Sequence, residues 1–330
     1  MLDAELLPVT VLAVGGTIAM AADAGAGASP ELDGEALVAA VPGLGSVSDL
    51  RVRSLPTRPS SAQLTCPEAL AIARAAVDEA ALGRGVVVTH GTDTLEEVAY
   101  LCDLLHAGDT PIAFTGAMRP SSAAGADGPA NLLDAASVAR SPSAAGLGVL
   151  VVFAGEIHAA RAVRKADSTA MSAFQSPRLG PLGWVSERRV SLERSVERRP
   201  PIPASRLDAA VPILPAALGL DGTGIDAALE SGADGLVAVA LGAGHLPPPF
   251  LDTLRRAAAR VPVVTTVRPK RGAILHETYA FEGSERDLRR GGLVAAGALS
   301  SAAARIKLLA CLGADYDRAA ITQAFAPDDL

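Results

Sequence analysis

Apolar residues return along this chain in two rhythms. Residues 8–14 (PVTVLAV), 85–89 (GVVVT) and 148–153 (GVLVVF) are short, nearly unbroken apolar runs. Such a run is the pattern of a strand covered on both faces. Residues 50–55 and 111–114 read as further strands. Helical spacing holds instead over residues 65–81 and 127–140, and again after Thr94. The helix starts carry their own signals. Asp33 precedes a short helix closed by Pro42 and Gly43. Thr65 with Glu68, and Thr94 with Glu97, have the spacing at which two side chains satisfy each other's free backbone amides. Asp127, with Pro129 in the first turn, opens another helix. Residues 15–34 are rich in Gly, Ala, Asp and Ser, show no period, and read as a mobile loop. Residues 156–165 are irregular, and a hairpin is one reading of them.

Strand–helix–strand repetition with short connections implies an α/β fold with a parallel, doubly wound sheet. The pattern is interrupted at residues 186–206, which are charged and proline-rich, as an interdomain linker would be. Beyond them, residues 210–214, 235–240 and 262–267 read as strands, and 250–260, 301–312 and 317–324 as helices. The chain's 330 residues also exceed the usual size of one domain. The expected organisation is a larger N-terminal catalytic α/β domain over residues 1–190, a linker over 191–209, and a smaller C-terminal α/β domain over 210–330.

Two of the expected strands end on unusually polar turns, GGTIA at residues 15–19 and HGTDTLEE at 90–97. In an open parallel sheet, ligands bind outside the carboxyl ends of the strands. Both turns therefore read as parts of one active site, with Thr17, Thr92 and Asp93 as its chemical groups. A threonine hydroxyl is a weak nucleophile and needs a base or an oxyanion partner. Gly15 and Gly16 would let backbone amides approach a substrate and serve as such donors. Lysine is rare here: only Lys165, Lys270 and Lys307 stand among 29 lysines and arginines. Arginine cannot deprotonate in a protein, whereas a buried lysine can. Lys165 is thus a candidate base, although a solvated lysine in the RKAD run has the same local sequence.

Composition mainly removes alternatives. The net charge of −7 argues against a nucleic-acid surface. No apolar run approaches a membrane span, and MLDAELLP lacks the basic and apolar regions of a signal peptide. The three cysteines, Cys66, Cys102 and Cys311, fit reduced thiols of a cytoplasmic protein. The five histidines have no ligand spacing, so no metal is expected. GAGH at residues 242–245 lacks the third glycine of a dinucleotide turn.

Four ordered motifs carry a family resemblance: GGTIA, HGTDTLEE, TGAMRPSSAAGADGPANLLDA at residues 115–135, and ARAVRKAD at 160–167. Together they resemble the bacterial asparaginase/glutaminase family. The resemblance implies a flavodoxin-like N-terminal sheet and no cofactor. It also implies hydrolysis of L-asparagine to aspartate and ammonia through an acyl ester on Thr17. Thr92, Asp93 and Lys165 would form a hydrogen-bonded catalytic triad. The matching substrate-binding positions are Gly16, Ser61 (with Ser60 the neighbouring option), Ala62, Thr92, Asp93, Ala117 and Glu285. Glu285 matches a glutamate that reaches a neighbouring subunit's site, so a homo-oligomer, dimer or tetramer, with shared sites is implied. The alternatives are a relaxed or different amide substrate such as glutamine or D-asparagine, and a catalytically silent amino-acid-binding homologue.

The chain departs from the family at three points. No tyrosine lies in residues 15–34, where many members carry one near the position of Gly27. Ala62 stands in place of a glutamine and Ala243 in place of an asparagine. Each departure removes a polar contact at the substrate's α-centre and predicts weaker binding, unless Arg58 or His245 compensates.

Overall fold

The computed structural model describes residues 6–23, 27–30, 32–46, 49–56 and 58–326. It falls into two compact units, Met1–Pro201 and Ile202–Leu330. The boundary lies inside the proline-rich stretch.

In the first unit the apolar runs become strands β1 (Val9–Ala13), β4 (Leu50–Ser54), β5 (Gly85–Thr89), β6 (Ile112–Thr115) and β7 (Val149–Phe153), with a small hairpin of β2 (Met20–Asp23) and β3 (Gly27–Pro30) set apart from them. Strands β4, β1, β5, β6 and β7 pair in that order and all in parallel. Every residue of β1, β5, β6 and β7 is buried, which is why their sequences are apolar without alternation. Strand β4 is an edge, and its exposed Arg51 and Arg53 keep that edge from pairing further. The helices between strands are α1 (Gly34–Ala39), α2 (Cys66–Ala81), α3 (Leu95–Leu105) and α4 (Gly128–Ala139). From β1 the chain crosses to β4 on one side and returns to β5 on the other. The crevice at the carboxyl ends of β1 and β5 is therefore the topological switch point of the sheet.

Beyond β7 the sheet continues antiparallel through β8 (Glu156–Ala159), β11 (Gly183–Ser186) and β12 (Arg189–Leu192). A separate two-stranded ladder joins β9 (Arg164–Lys165) to β10 (Phe174–Gln175). The irregular segment at 156–165 is thus the second arm of a hairpin with β7, followed by β9. The stretch expected to be a linker, 191–209, begins inside β12, which is paired to β11 along its length.

The second unit has a four-stranded parallel sheet of β13 (Ile213–Pro215), β14 (Leu236–Ala240), β15 (Val263–Val267) and β16 (Val294–Ala295), in that order. Helices α5 (Thr223–Glu230), α6 (Pro248–Ala258), α7 (Glu285–Arg290), α8 (Ser301–Gly313) and α9 (Arg318–Phe325) accompany it. Phe250, Leu251, Leu254 and Ala257 of α6 pack with Leu236, Ala238 and Ala240 of β14. Each fully buried Leu or Phe contributes about 1.5–3 kcal/mol to such a core. Helices α5 and α7 had no clear signal in the sequence, because each is short and α7 is largely charged.

Three local expectations are corrected. Residues 15–34 are not a single loop: a turn at Thr17–Ala19 leads into the β2–β3 hairpin, whose tip lies outside the described residues. Thr65 and Glu68 do form the reciprocal cap of α2. Thr94 is the N-cap residue of α3 but makes no side-chain cap bond, and neither does Asp127 at α4. Both side chains are drawn away by tertiary partners, described next.

Candidate active site

The first polar turn is built by Gly16, which has φ of 89° and ψ of −177°, a region that side chains avoid. A Cβ on Gly16 would lie 2.5 Å from both the Cα and the N of Gly91. The two polar turns therefore touch backbone to backbone. Ala19 N–H donates to the Gly16 carbonyl at 2.9 Å and closes a single turn. Ile18 and Ala19 are buried beneath that turn, and Thr17 stays half-buried at its start.

The second turn continues β5. His90 N–H donates to the Thr115 carbonyl at 2.9 Å, which locks the turn to β6. The His90 ring is fully buried, and desolvation holds its pKa down to about 4 despite a bond to the Gly91 carbonyl. That bond, 2.8 Å long, runs from Nδ1 to an oxygen that can only accept, so Nδ1 carries the proton. Gly91 lies against Ser61: a Cβ there would come within 2.7 Å of the Ser61 Oγ. Thr94 Oγ1 donates to the Ser61 carbonyl at 3.1 Å, which is why it does not cap α3.

Thr92, Asp93 and Lys165 come together. Lys165 Nζ donates to Thr92 Oγ1 at 2.9 Å and to Asp93 Oδ1 at 3.0 Å. Thr92 is buried, whereas Asp93 is exposed and keeps room for a ligand. Lys165 is held from its backbone as well. Its N–H donates to the Glu96 carboxylate, and β9 pairs it with Phe174. Burial pushes the Glu96 carboxyl up, only partly offset by that amide. Glu96 had a faint signal in the sequence, the doubled glutamate of TLEE, but nothing local tied it to a residue 69 positions away.

Thr17 shares the crevice through the Gly16–Gly91 contact, yet no hydrogen bond joins it to Thr92, Asp93 or Lys165 among the described residues. Ala117 is fully buried beside Gly128 and Ile18. Its segment is fixed by Asp127, which accepts from Met118 N at 2.9 Å and Arg119 N at 2.9 Å instead of capping α4. Asn131 adds a bond to the Gly116 carbonyl at 3.0 Å. Ser60 and Ser61 differ in what their hydroxyls do. Ser60 Oγ accepts from Ala62 N at 3.2 Å, whereas the buried Ser61 Oγ has no partner among the described residues. Ala62 is exposed.

Glu285 belongs to the second unit. It is fully buried and accepts from Tyr279 N at 2.7 Å, with His245 Nε2 3.5 Å from its Oε2. Burial alone would raise its pKa. The backbone amides of Tyr279, Glu285 and Thr278, with His245, overcome that and hold it below the ordinary value. No group of three or more His, Cys, Asp or Glu side chains among the described residues could hold a metal.

Residues 8–198 match the family described as "Asparaginase, N-terminal", and residues 210–325 match "Glutaminase/Asparaginase C-terminal domain". A probable periplasmic L-asparaginase of Haemophilus influenzae is 33% identical over 332 residues, covering 98% of this chain and 93% of that protein. A probable L-asparaginase of Deinococcus radiodurans is 42% identical over 244 residues, covering 73% and 74%. The crystal structure of a probable cytoplasmic L-asparaginase from Campylobacter jejuni superposes with a TM-score of 0.85. It is 29% identical and covers 97% of this chain and 99% of that one.

Proposed function

This chain belongs to the asparaginase family, and from that premise we propose that it hydrolyses L-asparagine to L-aspartate and ammonia. The Thr17 oxygen attacks the side-chain amide carbon. Its proton passes to the departing nitrogen, ammonia leaves, and an aspartyl ester remains on Thr17. Thr92 and nearby backbone amides hold the oxyanion. A water then attacks the ester, its proton passes by way of Thr92 and Lys165 to the leaving Thr17 oxygen, and aspartate and the Thr17 hydroxyl are freed. Asp93 both orients Lys165 and takes the substrate's α-ammonium as a charge-assisted pair. Ser61 donates to the α-carboxylate.

The observation that carries this reading is Lys165 Nζ at 2.9 Å from Thr92 and 3.0 Å from Asp93. A lysine so placed stabilises a developing alkoxide while charged and accepts its proton when neutral. A silent amino-acid-binding protein has no use for that arrangement. The catalytic role falls to the domain of residues 1–190, joined through 191–209 to the domain of 210–330. We also propose a homo-oligomer, dimer or tetramer, in which Glu285 serves a neighbouring site. The exposed Tyr279 and Phe281 near Glu285 support an interface there. Localisation in the cytoplasm is supported by three cysteines outside any disulfide and by the Campylobacter relative, although the Haemophilus relative is periplasmic.

Ammonia release from a panel of amides tests the reading. Thr17→Ala should lose at least about 10³-fold in kcat with its fold intact. An ester on Thr17 should be trapped by acid quench in Lys165→Met and seen by mass spectrometry. Near wild-type release by Thr17→Ala overturns the mechanism, and release from glutamine or D-asparagine alone overturns the substrate.

A further inference from the structure

A small cleft opens between the two touching turns and the segment before α2. Val14, Gly16, Arg58, Ser61, His90 and Gly91 line it. We propose that Arg58 is a specificity-determining residue of this chain, supplying the cation that pairs with the α-carboxylate of the substrate in this cleft. The assignment rests on the L-asparagine reading above and takes over the contact that Ala62 cannot make.

The argument is one of elimination and of preparation. A carboxylate brought into a partly buried cleft needs a cation and hydrogen-bond donors. Ser61 provides one donor, its hydroxyl being buried and without a partner among the described residues. Two lining residues carry ionisable groups, Arg58 and His90. His90 cannot act: its ring is neutral at physiological pH, and with the proton on Nδ1 its Nε2 is an acceptor. Arg58 remains. Its Nε and Nη2 donate to the same Glu68 oxygen, at 2.8 and 2.5 Å, while its Nη1 bonds no described residue. Glu68 is itself fixed by the cap of α2, accepting from Thr65 N at 2.8 Å and from the Thr65 hydroxyl at 2.8 Å. The guanidinium is therefore tethered at one edge by a cap that α2 requires anyway, with its other edge available. Such pre-ordering lowers the entropy lost on binding. His245, the other compensating group considered, is engaged with Glu285, Tyr279 and Phe281 in the second unit.

The test compares ligands with and without the α-carboxylate. L-Aspartate and β-alanine are titrated calorimetrically into wild type, Arg58→Gln and Arg58→Lys, alongside steady-state kinetics on L-asparagine and β-alaninamide. Losing one charge-assisted contact should weaken L-aspartate binding and raise KM for L-asparagine by about 10- to 100-fold in Arg58→Gln, with kcat within about threefold. Arg58→Lys should recover part of that loss, and β-alanine and β-alaninamide should be unaffected. An equal loss for both ligand types, or no loss, overturns the assignment. If wild type releases ammonia from L-asparagine but Arg58→Gln keeps its KM, Arg58 falls and the activity stands. If L-aspartate binds in an Arg58-dependent way but no ammonia is released, the activity falls and Arg58 stands. Failure of wild type to bind L-aspartate removes both.

Discussion

Two turns of this molecule follow parallel strands and look alike in sequence: VGGT after β1 and LGAGH after β14. The structure uses them differently. Gly16 brings its backbone within contact of Gly91 and sets a half-buried hydroxyl beside a second polar turn. In the other turn, a Cβ on Gly242 would meet nothing within 4 Å. There Leu241 and His245 close the turn on itself through backbone bonds of 2.8 and 2.9 Å, and His245 faces the buried Glu285. The first turn is shaped by backbone contact with a second polar turn, the second by its own closure and by the apolar packing of Gly244 against Ile274. Of the two glycine-rich strand tips, the one that meets a second polar turn is the one that gathers polar groups within the first unit.

The largest expected effect tests the first turn's chemistry. Lys165→Arg keeps the charge but cannot yield a proton, so kcat should fall about 10³-fold with the melting temperature nearly unchanged. Retained turnover would mean that Lys165 only holds its neighbours in place. The next test addresses the contrast directly. Gly16→Ala places a methyl against the Gly91 backbone and should cost roughly 3 kcal/mol, together with most of the activity. Gly242→Ala, at φ of 50° in open space, should cost about 1 kcal/mol and leave kcat unchanged. Equal effects in denaturant titrations would erase the distinction between the turns.

His90 provides a pH test of the first turn. Its folded pKa of about 4 lies below the ordinary 6.5, so the folded protein resists protonation there. The stability gained by keeping the ring neutral is complete above pH 6.5. It is lost as pH falls from 6.5 through 4, by about 3 kcal/mol in all. Urea midpoints at several pH values should show that loss in wild type, and a His90→Phe variant should flatten it. The last test concerns Glu285 of α7, which His245 of the second turn faces. Glu285→Gln weakens the bond from the Tyr279 amide and should cost about 1–2 kcal/mol, measured by thermal unfolding. A fall in kcat beyond that loss of stability is the outcome expected from the proposed role at a neighbouring site, and an unchanged kcat would argue against it.

The strand tips and the four motifs could be read from the sequence because buried parallel strands must be apolar and end abruptly. So could the capping box of α2, whose partners sit three residues apart. Thr17, Thr92 and Asp93 were candidates on this ground alone, and Lys165 through the rarity of lysine. What the sequence could not decide were pairings between distant positions. Thr94 has a capping partner at the right spacing, yet its hydroxyl goes to Ser61, and Asp127 turns to Met118 and Arg119. A local rule predicts the best local partner, whereas folding brings competitors close and lets tertiary geometry choose among bonds of similar strength. The same holds for the separate uses of Ser60 and Ser61, for the grip of Glu96 on Lys165, and for the Gly16–Gly91 contact. Each depends on backbone positions set by the sheet, and no spacing along the chain encodes them.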